Sequence, residues 1–172
     1  LQSLDKSGEL VIYGPDIFQG VKVWEGFKSY VGPLPFDGES VIHAIDEAGI
    51  TLVLSSEAHI ESELMSNRLF EGLAAGSVII VDENPFARKH FGDTLLYINT
   101  VGVKPEDITS QVRTHIGWIN ANQEEALEMA TKGQQIFKEK FDICSIQFAI
   151  HYMFESERKL HKLAVGNSCP LR

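Results

Sequence analysis

At 172 residues and 19.2 kDa the chain is long enough for one domain with a substantial core. A hydrophobic fraction of 44% with 23% charged residues, 14 Gly and 6 Pro excludes collagen, low-complexity disorder and a small disulfide scaffold. The formal net charge is −9, and before residue 138 only 9 basic side chains stand against 20 acidic ones. Such a surface repels phosphate backbones, so nucleic acid is not an expected partner, although a single basic side chain can still hold one small phosphate. The two cysteines, Cys144 and Cys169, are too few and too poorly spaced for a zinc site or a disulfide framework. With no apolar run near the ~20 residues of a membrane helix and no signal pattern at the start, no transmembrane segment is expected. The expected location is cytoplasmic, either free or peripheral to the inner membrane. The chain starts at Leu1 rather than Met, and is expected to belong to a longer protein.

Short β-rich runs alternate with helical stretches. Glu9–Tyr13 reads as a strand stopped by Gly14-Pro15, and Trp24–Val31 as a short strand ending at Gly32-Pro33. Glu39–Ala48 puts Val41, Ile42, Ile45 and Ala48 on one helical face, closed by Gly49. Ile50–Leu54 is a near-continuous apolar run, as a strand covered on both faces requires. Glu63–Ala75 is helical and ends at Gly76; Ser77–Val81 is the next buried strand. Pro85–Phe91 is a short helix with Pro at its start, and Leu95–Ile98 a further strand. From Pro105 only helix follows, over Pro105–Asn120, Gln123–Lys140 and Ile143–Leu163, with a frayed tail after Ala164. The pattern predicts an α/β fold, a Rossmann-like doubly wound parallel sheet with a helical C-terminal segment.

In such sheets ligands sit beyond the carboxyl ends of the strands, which directs attention to the loops after Tyr13, Val31, Leu54, Val81 and Ile98. The richest is the polar loop Ser55–Glu63 entering a helix, whose free N–H groups and positive dipole end suit a phosphate. Within that helix Glu63 and Glu71 stand eight residues apart. Taken singly, Glu63 also reads as N-terminal charge complementarity and Glu71 as a solvated face residue. His59, in the loop before them, is either a hydrogen-bonding partner for a sugar or an ordinary solvated histidine. Asp82-Glu83-Asn84 either touches a ligand or caps the helix at Pro85. His43, His151 and His161 read as surface or core-edge residues, and Trp24 and Trp118 as packing. The chain carries no Asp-x-Asp motif, P-loop, Gly-x-Gly-x-x-Gly, Gly-x-Ser-x-Gly or metal-ligand cluster, so neither a metal nor another cofactor is expected.

The stretch Glu63-Leu-Met-Ser-Asn-Arg-Leu-Phe-Glu71-Gly-Leu-Ala-Ala-Gly76 resembles the signature of the retaining group 1 glycosyltransferase family of the GT-B fold. That signature is Glu, seven residues, Glu, a small-residue run closed by Gly, then a buried strand. Glu63 and Glu71 match the two glutamates, Ala74 and Gly76 the small positions, and Ser77–Val81 the strand. Leu10–Gly14, Tyr30-Val-Gly32 and Gly49–Ser55 resemble flanking elements, so the likeness covers roughly residues 9–140.

The resemblance implies the C-terminal, donor-binding half of a GT-B enzyme. Residues 1–142 would form the nucleotide-sugar-binding domain, 143–165 a helix packing on an N-terminal domain missing from this chain, and 166–172 a flexible tail. The alternative for the helix is ordinary packing on this domain's own sheet. Implied partners are a nucleotide-diphosphate sugar and an acceptor glycan or glycoconjugate, in bacterial polysaccharide or glycoconjugate synthesis. Glu71 would accept hydrogen bonds from the ribose hydroxyls, and Glu63, the catalytic candidate, would approach the transferred sugar. Met65, Ser66 and Asn67 would offer backbone N–H groups to the diphosphate, and Gly32, Leu34 and Pro35 would lie near the base. Three departures stand out. Ser66 replaces the family's usual Gly. Arg68 is an added cation, serving either the diphosphate or an ion pair with Glu71 or Glu61. The family's basic clamp would precede Leu10, leaving Lys22 and Lys28 as weak substitutes. Two rival readings are a non-catalytic GT-B-like scaffold module and half of an inverting GT-B transferase. A flavodoxin-like regulatory domain is disfavoured, because no phosphoacceptor Asp ends the first strand.

Overall fold

The computed structural model describes residues 1–55 and 65–141. Helix α1 (Gln2–Ser7) opens the chain and turns out through Gly8. Its Asp5 is buried and accepts both the amide (2.7 Å) and the hydroxyl (2.5 Å) of Ser29. Strand β1 (Ile12–Tyr13) is followed by an antiparallel hairpin of β2 (Ile17–Phe18) and β3 (Val21–Lys22). The chain then returns as β4 (Tyr30–Gly32), parallel to β1. The strand expected over Trp24–Val31 is thus confined to its last residues. Upstream, Phe27 N–H closes a turn on the Trp24 carbonyl (3.1 Å), and the Trp24 ring stacks on Tyr30 at 6.3 Å. Neither α1 nor the hairpin was expected from the sequence.

Helix α2 (Ser40–Ala48) packs on a second helix, α3 (Asn67–Ala75), and between them in sequence runs β5 (Ile50–Val53). The start of α2 is held by Asp37, whose carboxylate accepts the Glu39 and Ser40 amides (3.0 and 2.8 Å) and the Ser40 hydroxyl (2.6 Å). Those donors, the Ser40 side chain first, hold the Asp37 carboxyl down to about 2, against an ordinary 3.8. A depressed folded-state pKa contributes stability that is present above about pH 4 and lost as pH falls toward about 2. The thermal midpoint should therefore fall over that window, and Asp37→Asn should flatten the fall. A decline as steep as the parent's would show that Asp37 has no part in it.

After α3 come β6 (Val78–Asp82), α4 (Pro85–Phe91), a 3-10 turn at Gly92–Thr94 and β7 (Leu96–Ile98), then α5 (Pro105–Ala121) and α6 (Gln123–Lys140). Strands β5, β6 and β7 form a parallel sheet in that order, with Val53 opposite Val81 and Asp82 opposite Ile98. Period-two alternation gives this sheet two buried faces. Ile80 and Ile98 point into one core with Val112 and Ile119 of α5 and Ala126 of α6. Ile79, on the opposite face, lies against α3, where a Cβ added to Gly72 would come within 3.2 Å of its side chain. At Gly72 the motif has no side chain because the helix backbone rides on the strand there. Gly76 closes α3 at φ +70°, a left-handed conformation that glycine adopts without Cβ strain.

Helices on both faces of a parallel sheet make this an α/β, Rossmann-like fold, with residues Leu1–Lys140 as one compact unit. The helix expected over Ile143–Leu163 and the tail lie outside the described residues.

Candidate functional site

The parallel pairing of β5 and β6, with α3 between them in sequence, fixes where the motif helix begins. Because α3 connects β5 to the parallel β6, it runs back against the strands, and its amino end lies at their carboxyl ends. Ser66 is its N-cap, with extended backbone (φ −66°, ψ 141°), and its hydroxyl accepts the Arg68 amide at 3.3 Å. The helix expected from Glu63 therefore has its described start at Asn67. Met65 and Ser66 are non-helical, because a capping serine needs extended dihedrals to turn its oxygen onto the first free amides. Ser66 thus makes a specific local bond at the helix entrance. Glu63 and His59 lie outside the described residues, as does the loop over 56–64.

Arg68 and Glu71 are three residues apart on the helix and form an ion pair between the guanidinium and the carboxylate. The Arg68 side chain is 60% exposed and that of Glu71 25%, which places the pair at the surface. Of the two roles open to Arg68, the pairing with Glu71 is the one present here. Leu69 and Leu73 lie on the other side of the helix from the pair and are buried, Leu73 beside Gly133 of α6. The helix thereby presents Arg68 and Glu71 outward on a rigid, packed base.

At the carboxyl ends of β1 and β4, Gly14 and Gly32 come together, with the Gly14 amide donating to the Gly32 carbonyl at 3.1 Å. The Tyr30 hydroxyl donates to the Gly14 carbonyl at 3.0 Å. Beyond Gly32 the chain continues through half-buried Leu34 and exposed Pro35. Among the described residues, no hydrogen bond or ion pair links Gly32, Leu34 or Pro35 to Ser66–Glu71. Lys22, on the hairpin, and Lys28 are exposed.

Asp82-Glu83-Asn84 divides by burial. Asp82 and Asn84 are fully buried, at 0% and 1% exposure, so neither side chain is open to a ligand. Asn84 caps α4 by accepting the Phe86 amide at 2.8 Å, the structural role open to it in the sequence. Exposed Glu83 is ion-paired to Arg88, which holds the Glu83 carboxyl below the usual range. The Arg88 guanidinium in turn lies 3.4 Å over the Tyr97 ring. Burial pushes the Tyr97 phenol up to about 12. His43 is exposed and Trp118, on α5, packs against the core, as expected.

Among the described residues, no group of three or more His, Cys, Asp or Glu side chains is placed to hold a metal ion. No described helix is long and apolar enough to cross a membrane. A hollow of about 250 Å³ lined by Asp46, Gly76, Ser77, Val78, Ile119 and Ala130 lies at the amino ends of β5 and β6, away from the motif helix entrance.

The fold and this outward-facing helix entrance define a Rossmann-like domain of the kind that binds ligands beyond its strand ends. Sequence comparison then places it: residues 1–144 match the glycosyl transferase-like family, and the chain belongs to that family. No curated protein and no solved structure matches the chain.

Proposed function

We propose that this chain is the donor-binding half of a GT-B glycosyltransferase, taking a nucleotide-diphosphate sugar and passing the sugar to an acceptor hydroxyl with retention. The observation that carries the reading is the family match over residues 1–144 combined with the Arg68–Glu71 pair on the outer face of α3. Glu71 is the ribose partner: a carboxylate is acceptor-only and suits a vicinal diol. Arg68 supplies the cation for the diphosphate, joined by the amides at the helix entrance near Met65, Ser66 and Asn67. The exposed pair costs little to separate, since surface ion pairs are worth about 0–1 kcal/mol. A diphosphate can therefore draw Arg68 away and leave Glu71 free for the ribose. Gly32, Leu34 and Pro35 frame the base. Glu63 is the group facing the transferred sugar, and His59 a second contact to it. Stabilisation of the departing diphosphate falls to the helix dipole and Arg68, with no metal or other cofactor in the scheme.

Residues 1–142 act as the nucleotide-sugar domain. The acceptor is a glycan or glycoconjugate of bacterial polysaccharide synthesis, met in the cytoplasm or at the inner-membrane surface. Titration calorimetry with uridine, guanosine and adenosine diphosphates tests the reading, and at least one should bind. Absence of heat from all three at millimolar concentration would favour a scaffold module instead.

A further inference from the structure

The parallel ladder between β5 and β6 stops at Val53 and Val81. Two residues later the Ser55 amide, which a longer ladder would give to a backbone carbonyl, donates instead to Asp82 Oδ2 at 2.6 Å. The Ser55 hydroxyl donates to Asp82 Oδ1 at 2.9 Å. On its other side β6 remains tied to β7, with Asp82 opposite Ile98 and the Glu83 amide bonded to the Ile98 carbonyl at 3.0 Å. Asp82 is 0% exposed. A carboxylate removed from water is costly unless its oxygens are bonded, and among the described residues both oxygens are given to one residue, Ser55. The strand end could close more cheaply with a neutral side chain and one more ladder bond. A buried carboxylate there replaces a generic link with a directional, two-point one.

We propose that Asp82 is a positioning residue for the donor site, acting through Ser55. It fixes where the chain leaves β5, and so where the segment joining that strand to the entrance of α3 begins. The inference rests on the donor-site reading and adds to it a residue that touches no substrate. Residues 55 and 82 lie at the carboxyl ends of adjacent strands, the end at which α3 starts and at which open parallel sheets take their ligands. The two-point bond also makes the hydroxyl of residue 55 part of the device, which separates it from simple satisfaction of a backbone amide.

The test uses the whole chain, titrated with uridine, guanosine and adenosine diphosphates, with thermal unfolding measured in the same buffer. Asp82→Asn is expected to weaken the best-bound diphosphate at least tenfold, and Ser55→Ala several-fold. Ser55→Thr, which keeps the hydroxyl, should bind like the parent. The Ser55→Ala/Asp82→Asn double variant should be no weaker than Asp82→Asn alone, because both act through one contact. Should Asp82→Asn fail to fold, the Ser55→Ala and Ser55→Thr pair decides. Equal affinity of Ser55→Ala and the parent overturns the proposal, as does an affinity loss matching the unfolded fraction alone. A parent chain that binds none of the diphosphates overturns the donor-site reading and this inference with it. A binding parent with indifferent variants overturns the inference only.

Discussion

Glu71→Ala should weaken nucleoside diphosphate binding by about 1.5–3 kcal/mol, the range for lost hydrogen bonds to a charged group, which is roughly 10- to 150-fold in affinity. The variant should unfold close to the parent temperature, because its partner Arg68 is 60% exposed and the pair contributes little to stability. Glu71→Gln keeps one acceptor oxygen and should lose less. Glu63→Ala should leave the affinity for a bare diphosphate unchanged, since the sugar it would face is absent from that ligand. Calorimetry on these variants separates the two glutamates by the part of the donor each one is proposed to read. If Glu71→Ala binds as tightly as the parent, Glu71 does not hold the ribose, and the outward face of α3 has another use.

Much of the fold was legible because parallel strands buried on both faces must be apolar nearly throughout. Ile50–Leu54 and Ser77–Val81 announced themselves that way and appear as Ile50–Val53 and Val78–Asp82. The helices from Pro105 and Gln123 also lie where apolar periodicity and the leading proline put them. The amino-terminal third was harder to read. Helix α1 is six residues long, too short for a periodicity signal, and is tied down by the distant bond from Asp5 to Ser29. The hairpin turns through Gln19 at φ +51° and Gly20 at φ +80°. Gln at a left-handed position does not advertise a turn as Asn-Gly or Asp-Gly would. Its strands also leave Ile17, Phe18 and Val21 more than half exposed, so no alternation marked them.

The candidate site divides in the same way. Arg68 and Glu71 are helix neighbours, and their pairing follows from spacing alone. The link from Ser55 to Asp82 does not, because it spans 27 residues and exists only once the parallel register is set. From sequence, Asp82-Glu83-Asn84 read either as a ligand contact or as the cap of the helix at Pro85. Burial excludes the contact at Asp82, and moves any influence on the site from contact to positioning.

The proposed donor site depends on α3 being held rigidly, and Leu69 is the residue on which that can be measured. It is fully buried at 0% exposure, one residue beyond Arg68 and about 100° around the helix from it. Leu73 continues the same stripe one turn later at 2%. Replacing a buried leucine by alanine removes transfer free energy and leaves a cavity, at a combined cost of about 2–5 kcal/mol. For a domain of this size each kcal/mol is worth roughly 2–4 °C, so Leu69→Ala should unfold on the order of 10 °C below the parent. Leu69→Met, nearly equal in volume, should cost less than about 1.5 kcal/mol. Urea and thermal unfolding give the stability, and calorimetry well below the midpoint gives the nucleotide affinity of the folded fraction. Stability and affinity should fall together in Leu69→Ala, whereas Glu71→Ala loses affinity alone. A Leu69→Ala variant within 1 kcal/mol of the parent would mean that α3 is not clamped to the sheet, and Arg68 and Glu71 would then lack the fixed geometry that ribose and diphosphate recognition requires.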